Sequence, residues 1–470
     1  MNNTLDHIAK AYFLGIGGIG MSALARYFHG KGVEVKGYDK TETQLTKELV
    51  QEGISVSYFD NPSSLPNWLQ SDVINDDVIV IYTPAIPKDH CELNFLKDKG
   101  VRLWKRSEVL GAVTSGTRTI AVAGTHGKTT TSTIIAHILK HSGKNVTAFL
   151  GGISSNYQTN LLVSPSGIDE VMVAEADEYD KSFLQLNPDV SVVTSLDPDH
   201  LDIYGNHDNM VECYSEFANR LKPGGSLYFK AGSGLKHTAN NSYSYSAFGQ
   251  GDYCVSNIRI DNGAYVFDIL GQGLEMRDMV LYCPGRHNVE NALVACIVCL
   301  KEGLTPDDIR VGLASFKGVH RRFEYRLREH GKVVIDDYAH HPTELTAAIN
   351  TVRELYPNKN ILGIFQPHLY SRTRDFAEGF AKSLSLLDAL VLLDIYPARE
   401  LPIPGVSSQM ILNMVTAHTK VLLQKDQLFK YVSQSESDVV LILGAGDIDA
   451  LVVGIVESVR NKNHLNPQSV

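Results

Sequence analysis

The chain has 470 residues, 43% apolar and 20% charged, which fits a globular protein of about three domains at ~150 residues each. Its net charge of −10 argues against a nucleic-acid footprint, and no apolar run approaches the ~18 residues of a membrane span. The opening Met1-Asn-Asn-Thr-Leu-Asp-His7 lacks a basic segment followed by an apolar one, so no secretory signal is expected and the expected location is cytoplasmic. Among the cysteines only Cys296 and Cys299 stand three apart, inside an apolar helical pattern. Core packing is expected there rather than metal ligation, in a reducing compartment.

From the start, residues 11–16 predict a strand, followed by Gly15-Ile-Gly17-Gly18-Ile-Gly20 and a helix from 21 to about 29. A second strand, 33–38, ends at Asp39. Glycines that let backbone N–H groups approach an anion at a helix N-terminus, with an acid about 20 residues on, form a diphosphate fingerprint. The pattern leaves the attached base open. A nicotinamide site would make the chain a dehydrogenase, and a UDP-sugar would use the same physics. Strands at 78–82 and 101–104 complete a doubly wound unit over 1–110.

A strand at 119–123 then runs into Gly124-Thr-His-Gly127-Lys128-Thr129-Thr130 and a helical pattern over 131–140. Strand, glycine loop and helix N-terminus in that order make a phosphate cradle. Lys128 would neutralise phosphate oxygens and the Thr129 hydroxyl could ligate Mg²⁺. Val122 stands where the longer phosphate-loop pattern has its first glycine, so this is a shorter form. Two later strands, 171–174 and 190–196, run into Glu175-Ala-Asp177-Glu178 and Asp197-Pro-Asp199-His200. Acids at strand ends beside a phosphate loop are natural Mg²⁺ donors, Glu175 first among them. A lone histidine such as His200 is more often structural than a ligand.

Residues 220–279 read as short strands and turns, a β-rich extension of the central segment. Cys283-Pro-Gly285-Arg-His287-Asn288-Val-Glu-Asn291 then opens an apolar helix over 292–300. Asn288 and Asn291 share a helical face, where two amides could read a purine edge or one could cap the helix. Past Arg321-Arg322-Phe323, strands at 333–335, 361–365, 389–393 and 439–443 all end in polar groups. These are Asp336-Asp337-Tyr338, Gln366-Pro367-His368, Asp394-Ile-Tyr396 and Gly444-Ala-Gly446-Asp447. Four such ends predict one binding edge.

Eight motifs occur in order over nearly the whole chain: Gly15-x-Gly-Gly-x-Gly-Met-Ser22, Gly124-Thr-His-Gly-Lys-Thr-Thr130, Glu175-Ala-Asp-Glu178, Asp199-His200, Gly285-Arg-His-Asn288-x-x-Asn291, Arg321-Arg322-Phe323, Asp337-Tyr-x-His-His-Pro342 and Phe365-Gln-Pro-His368. Together they resemble the Mur ligase family of bacterial peptidoglycan synthesis. The resemblance implies an α/β fold in three domains. These are a Rossmann-like N-terminal domain (1–110) for a UDP-sugar, a central P-loop ATPase-like domain with a β-rich extension (111–320) for MgATP, and a Rossmann-like C-terminal domain (321–470) for an amino acid.

It further implies that Gly15, Gly17, Gly18, Gly20, Met21, Ser22 and Asp39 serve the UDP-sugar. Gly124, Thr125, His126, Gly127, Lys128, Thr129, Thr130, Asn288, Asn291, Arg322 and Asp337 would serve ATP. Mg²⁺, or Mn²⁺ in its place, would sit on Thr129 and Glu175, with His200 at a second metal. Tyr338, His341, Arg372 and Arg374 would take the amino acid, and Lys128, Glu175, His200 and the candidate base His341 would be catalytic. The implied reaction has the lactyl carboxylate of UDP-N-acetylmuramate attack the γ-phosphate of ATP. The amine of L-alanine then displaces phosphate from the acyl phosphate. The short Lys181–Pro188 connection and Leu401-Pro-Ile-Pro-Gly405-Val-Ser407 favour L-alanine over the tripeptide of cell-wall recycling. Tyr38 before Asp39 and Asp197-Pro198 before Asp199 depart from the family pattern. The expected partners exclude nucleic acid and membrane, and the expected assembly is a monomer or weak homodimer.

Overall fold

The computed structural model describes residues 5–164, 169–198, 201–398 and 400–465. The chain folds as two compact units. One comprises Met1–Arg259, Val266–Leu281 and Val289–Lys317, and the other Ile260–Tyr265, Tyr282–Asn288 and Gly318–Val470.

The first unit holds two sheets. The smaller has five parallel strands in the order Ser55–Ser57, Glu34–Tyr38, Lys10–Leu14, Val78–Tyr82, Leu103–Lys105. Strand order reverses at Lys10–Leu14, so the glycine loop leaves the sheet where a ligand crevice opens. Ala11, Phe13 and Leu14 are fully buried, as a strand covered on both faces requires. Helix Ile19–Gly30 covers one face by packing Met21, Leu24 and Phe28 into the core around Phe13.

The larger sheet has ten strands. Its parallel core runs Ser226–Lys230, Val190–Val193, Arg118–Ala123, Val171–Glu175, Val146–Ser154, and Thr159–Leu162 adds an antiparallel edge. Beyond Ser226–Lys230 lie Asn241–Ser246, Tyr253–Asp261, Ala264–Gly271 and Leu274–Leu281. Val146–Ser154 escapes the hydrophobic pattern because Gly151 and Gly152 interrupt it, and Asn241–Ser246 because only Tyr245 is buried. Val190–Val193 ends three residues earlier than its apolar run suggests. Past Val193 the side chains of Thr194 and Ser195 hold the loop 124–127.

The second unit's sheet runs Glu324–Glu329, Lys332–Asp337, Val439–Leu443, Ile361–Phe365, Ala389–Leu392, Thr419–Leu422, parallel except for the first strand. The four strands expected to share a binding edge are therefore neighbours running one way, with their polar ends on the same side. Asp336 and Asp337 close the second strand in the core. Asp336 lies 3.3 Å from Arg321 Nε, and Asp337 accepts the Phe323 and Ala339 N–H groups at 2.8 Å each. Burial pushes both carboxyls up to about 6, against the pull of Arg321 on Asp336 and of Arg322 on Asp337.

Asn160 joins the two sheets of the first unit. Its Nδ2 donates to Ile19 O at 2.6 Å and to Ser22 Oγ at 2.9 Å, and Arg26 donates to its Oδ1. Asn160→Ala strands these buried partners and should cost about 1–3 kcal/mol in urea unfolding. An unchanged midpoint would remove the residue from the junction. For the aspartates the sign follows from proton counting. An unfolded aspartate titrates near ~3.9, so between there and about 6 the folded chain holds more protons. The pair's contribution to stability is fully present below that window and is lost as pH rises through it. Carboxyl-carbon NMR should show two aspartates titrating near 6 rather than 4.

Candidate active site

Strand Arg118–Ala123 delivers the loop 124–127 to the start of helix Lys128–His141, three residues before the periodic pattern begins. The helix opens on Gly127, whose φ of +84° only glycine adopts readily. Gly124, at φ +133°, has no room for a side chain, because a Cβ would lie 2.0 Å from Thr194 Oγ1. The loop is held from the neighbouring strand end. Thr125 N donates to Ser195 O at 3.0 Å, His126 N to Ser195 Oγ at 2.8 Å, and Thr194 Oγ1 to His126 O at 2.5 Å. His126 Nε2 stands 3.5 Å from Asp197. Sequence reasoning missed Thr194 and Ser195; the signal available was two hydroxyl residues ending an otherwise apolar run.

Lys128 is largely withdrawn from water. Its Nζ donates to Gly124 O at 2.7 Å and to Glu178 Oε1 at 2.9 Å. Burial pulls its pKa down, but the Glu178 and Glu175 carboxylates outweigh that and hold it above the ordinary value. Glu178 is the third residue missed: as one of the acids after the strand it was a metal donor at most, and its pairing with Lys128 was not expected. Tyr204 fixes its backbone by donating to Glu178 O at 2.6 Å.

Glu175 ends its strand directly beside Val122 in the strand that feeds the loop. Its Oε2 accepts the Gly151 N–H at 3.1 Å, and a Cβ on Gly151 would lie 2.1 Å from that oxygen. The glycine that hid a strand from the pattern makes room for this carboxylate. Thr129 is buried in the first helical turn. A hydroxyl and a carboxylate are oxygen donors that suit Mg²⁺, which completes its shell with water and phosphate. Asp199 and His200 lie outside the described residues, and among those described no three acidic, histidine or cysteine side chains group to hold a metal. Past Glu175 the chain turns sharply, with Asp180 and Lys181 at φ +54° and +55°. There Asp177 pairs with Arg106 at 2.8 Å and Asp180 with Lys105 at 2.9 Å.

In the glycine loop, Asp39 Oδ2 accepts the Gly17 N–H at 2.8 Å. The Tyr38 carbonyl accepts those of Gly15 and Ile16 at 2.8 and 2.9 Å. Both residues therefore shape the loop. Gly18 precedes helix Ile19–Gly30, in which Met21 and Ser22 are buried. Gly18, Gly20 and Met21 face Glu175 and Asp177 across one cleft of about 240 Å³.

The two asparagines part company. Asn291 Oδ1 lies where a Cβ on Gly127 would meet it at 2.5 Å, so its amide abuts the phosphate loop. Asn288 Nδ2 instead donates to Pro284 O at 2.6 Å, within the turn that opens helix Arg286–Lys301. In the second unit, Arg322 lies 5.0 Å from the Tyr338 ring and 3.8 Å from Glu344, next to Asp337. His341 caps helix Pro342–Leu355 through Nδ1, which accepts the Thr343 N–H at 3.3 Å, and its ring packs on Phe376 at 4.7 Å. Arg372 is buried in helix Tyr370–Asp375, whereas Arg374 is exposed and pairs with its neighbour Asp375 at 2.7 Å.

Three family models match the chain in succession: Mur ligase family, catalytic domain, over 10–118; Mur ligase middle domain over 122–299; and Mur ligase, glutamate ligase domain, over 321–446. A UDP-N-acetylmuramate–L-alanine ligase of Porphyromonas gingivalis is 49% identical over 95% of this chain and 98% of its own length. A protein of the same name from Christiangramia forsetii is 48% identical over 94% and 96%. Among solved structures, the UDP-N-acetylmuramate-alanine ligase of Thermotoga maritima superposes with a TM-score of 0.82 at 28% identity, over 96% of this chain and 99% of that one. A murein peptide ligase of Psychrobacter arcticus shares the fold at a TM-score of 0.68 and 20% identity, over 96% and 99%. This three-domain α/β chain belongs to the Mur ligase family.

Proposed function

We propose that this chain joins L-alanine to the lactyl carboxylate of UDP-N-acetylmuramate, consuming ATP through an acyl phosphate, in peptidoglycan precursor synthesis. The single observation that carries this is the cleft in which the glycine loop faces Glu175, beside the strand that delivers Lys128. One wall suits a diphosphate and the other a triphosphate, so a group on the first ligand can meet the terminal phosphate of the second. The near full-length likeness to proteins named UDP-N-acetylmuramate–L-alanine ligase supports the choice of substrates.

A carboxylate is a poor electrophile, and phosphorylation gives it a leaving group. The difficulty is bringing two anions together, and catalysis of such transfers is mainly positioning and charge compensation. Lys128 would neutralise the terminal phosphates, and the helix behind it adds the partial charge of its N-terminus. Thr129 and Glu175 would hold Mg²⁺, which supplies further compensation when bound. In the second unit Arg372 and Tyr338 are the proposed amino-acid contacts, with Arg374 a more exposed third. With His341 Nδ1 accepting the Thr343 N–H, a proton taken from the amine would go to Nε2. Arg322, Asp337, Asn288 and Asn291 remain the proposed nucleotide contacts, Asn291 being the one packed on the loop.

Phosphate release that requires UDP-N-acetylmuramate and L-alanine together is the expected result in a coupled assay. ATP turnover indifferent to either would overturn the proposal, and a preference for the tripeptide over L-alanine would move it to the recycling activity. Lys128→Ala should lower kcat about 10³-fold or more while leaving UDP-sugar affinity within about twofold. Retained turnover would contradict its role.

A further inference from the structure

Among the described residues lining the cleft, Arg106 is the one cation, and it faces the acids Glu175 and Asp177. Arg106 opens helix Arg106–Thr114, anchored by the buried Val109, Leu110 and Val113. Its guanidinium lies against the backbone of Gly20, where a Cβ would sit 2.7 Å from Nη1. Nη2 donates to Asp177 Oδ2 at 2.8 Å. That is the guanidinium's hydrogen bond among the described residues, although the group carries five N–H donors in a planar fork. The partner is half-open to water, with 42% of the Asp177 side chain exposed against 18% for Arg106.

We infer that Arg106 binds the carboxylate of the sugar nucleotide and that Asp177 holds its place until substrate arrives. This rests on the proposed reaction. The diphosphate occupies the helix N-terminus at Gly18, and the reacting carboxylate must extend from there toward Glu175. Arg106 stands on that path. Without Arg106 the carboxylate would meet Asp177 unshielded, and like charges at such spacing repel. A carboxylate can take two guanidinium N–H groups side by side, a stronger pairing than the single bond to a solvent-screened aspartate. The exchange supplies specificity, because a sugar nucleotide without the carboxylate leaves the Arg106–Asp177 pair closed.

Calorimetric titration of UDP-N-acetylmuramate and of UDP-N-acetylglucosamine, which has the same diphosphate but no lactyl carboxylate, separates the contributions. Arg106→Ala should weaken the first about tenfold or more and leave the second within about twofold. Arg106→Lys should fall between, and Asp177→Asn should tighten the first alone. Equal weakening of both nucleotides would place Arg106 on the diphosphate and overturn the inference, as would no weakening of either. If Arg106→Ala does not fold, Arg106→Lys and Asp177→Asn carry the same comparison. Unmodified protein that binds neither nucleotide would instead overturn the reaction reading itself.

Discussion

A positive charge largely withdrawn from water at Lys128, with 14% of its side chain exposed, is the constraint around which the first unit is built. Removing an ammonium from water costs several kcal/mol unless it is paired and hydrogen-bonded. Here Glu178 supplies the charge and Gly124 O a second acceptor. Meeting both demands dictates much of the neighbourhood. The loop must curl so that Gly124 O points back at its own lysine, which requires glycine. Thr194 and Ser195 hold that curl with their hydroxyls. Glu178 must turn inward, which the Tyr204 hydroxyl and the sharp bend at Asp180 and Lys181 fix. In the proposed reaction, phosphate oxygens would take over the part that Glu178 plays.

The same logic of fixed dipoles and paired charges recurs at the glycine loop, with backbone in place of a lysine. Asp39 and the Tyr38 carbonyl take the N–H groups of Gly17, Gly15 and Ile16, setting the loop's shape before any ligand arrives. Asn160 couples helix Ile19–Gly30 to the edge hairpin of the central sheet. The spacing between the glycine loop and the central sheet is thereby set by these hydrogen bonds. Preorganisation of that kind is what a reaction between two anions needs.

Much of this was legible in the residues. Ile361–Phe365 and Val439–Leu443 begin and end where their apolar runs do, because strands buried on both faces need uninterrupted hydrophobic residues. The two glycine turns before helices and the strand end at Glu175 were legible because glycines between an apolar run and a helical pattern, and acids after an apolar run, mark where an element stops. What escaped has a common cause. Val146–Ser154 was hidden by Gly151, whose missing side chain serves a carboxylate on another strand. Thr194 and Ser195 looked like the tail of a strand, and Asn288 like a twin of Asn291. For Gly151, Thr194 and Ser195 the deciding contact is with a residue distant in sequence, and for Asn288 it is a single turn contact with Pro284; local periodicity encodes neither.

The chemistry reduces to whether the carboxylate itself attacks the terminal phosphate. UDP-N-acetylmuramate with ¹⁸O in its lactyl carboxylate, turned over with ATP and L-alanine, answers this in the released phosphate. Transfer through an acyl phosphate leaves one ¹⁸O atom from each carboxylate in the phosphate, readable by its ³¹P shift. Phosphate carrying no ¹⁸O would mean that water took the phosphoryl group, and the proposed use of Lys128 and the cleft would be wrong.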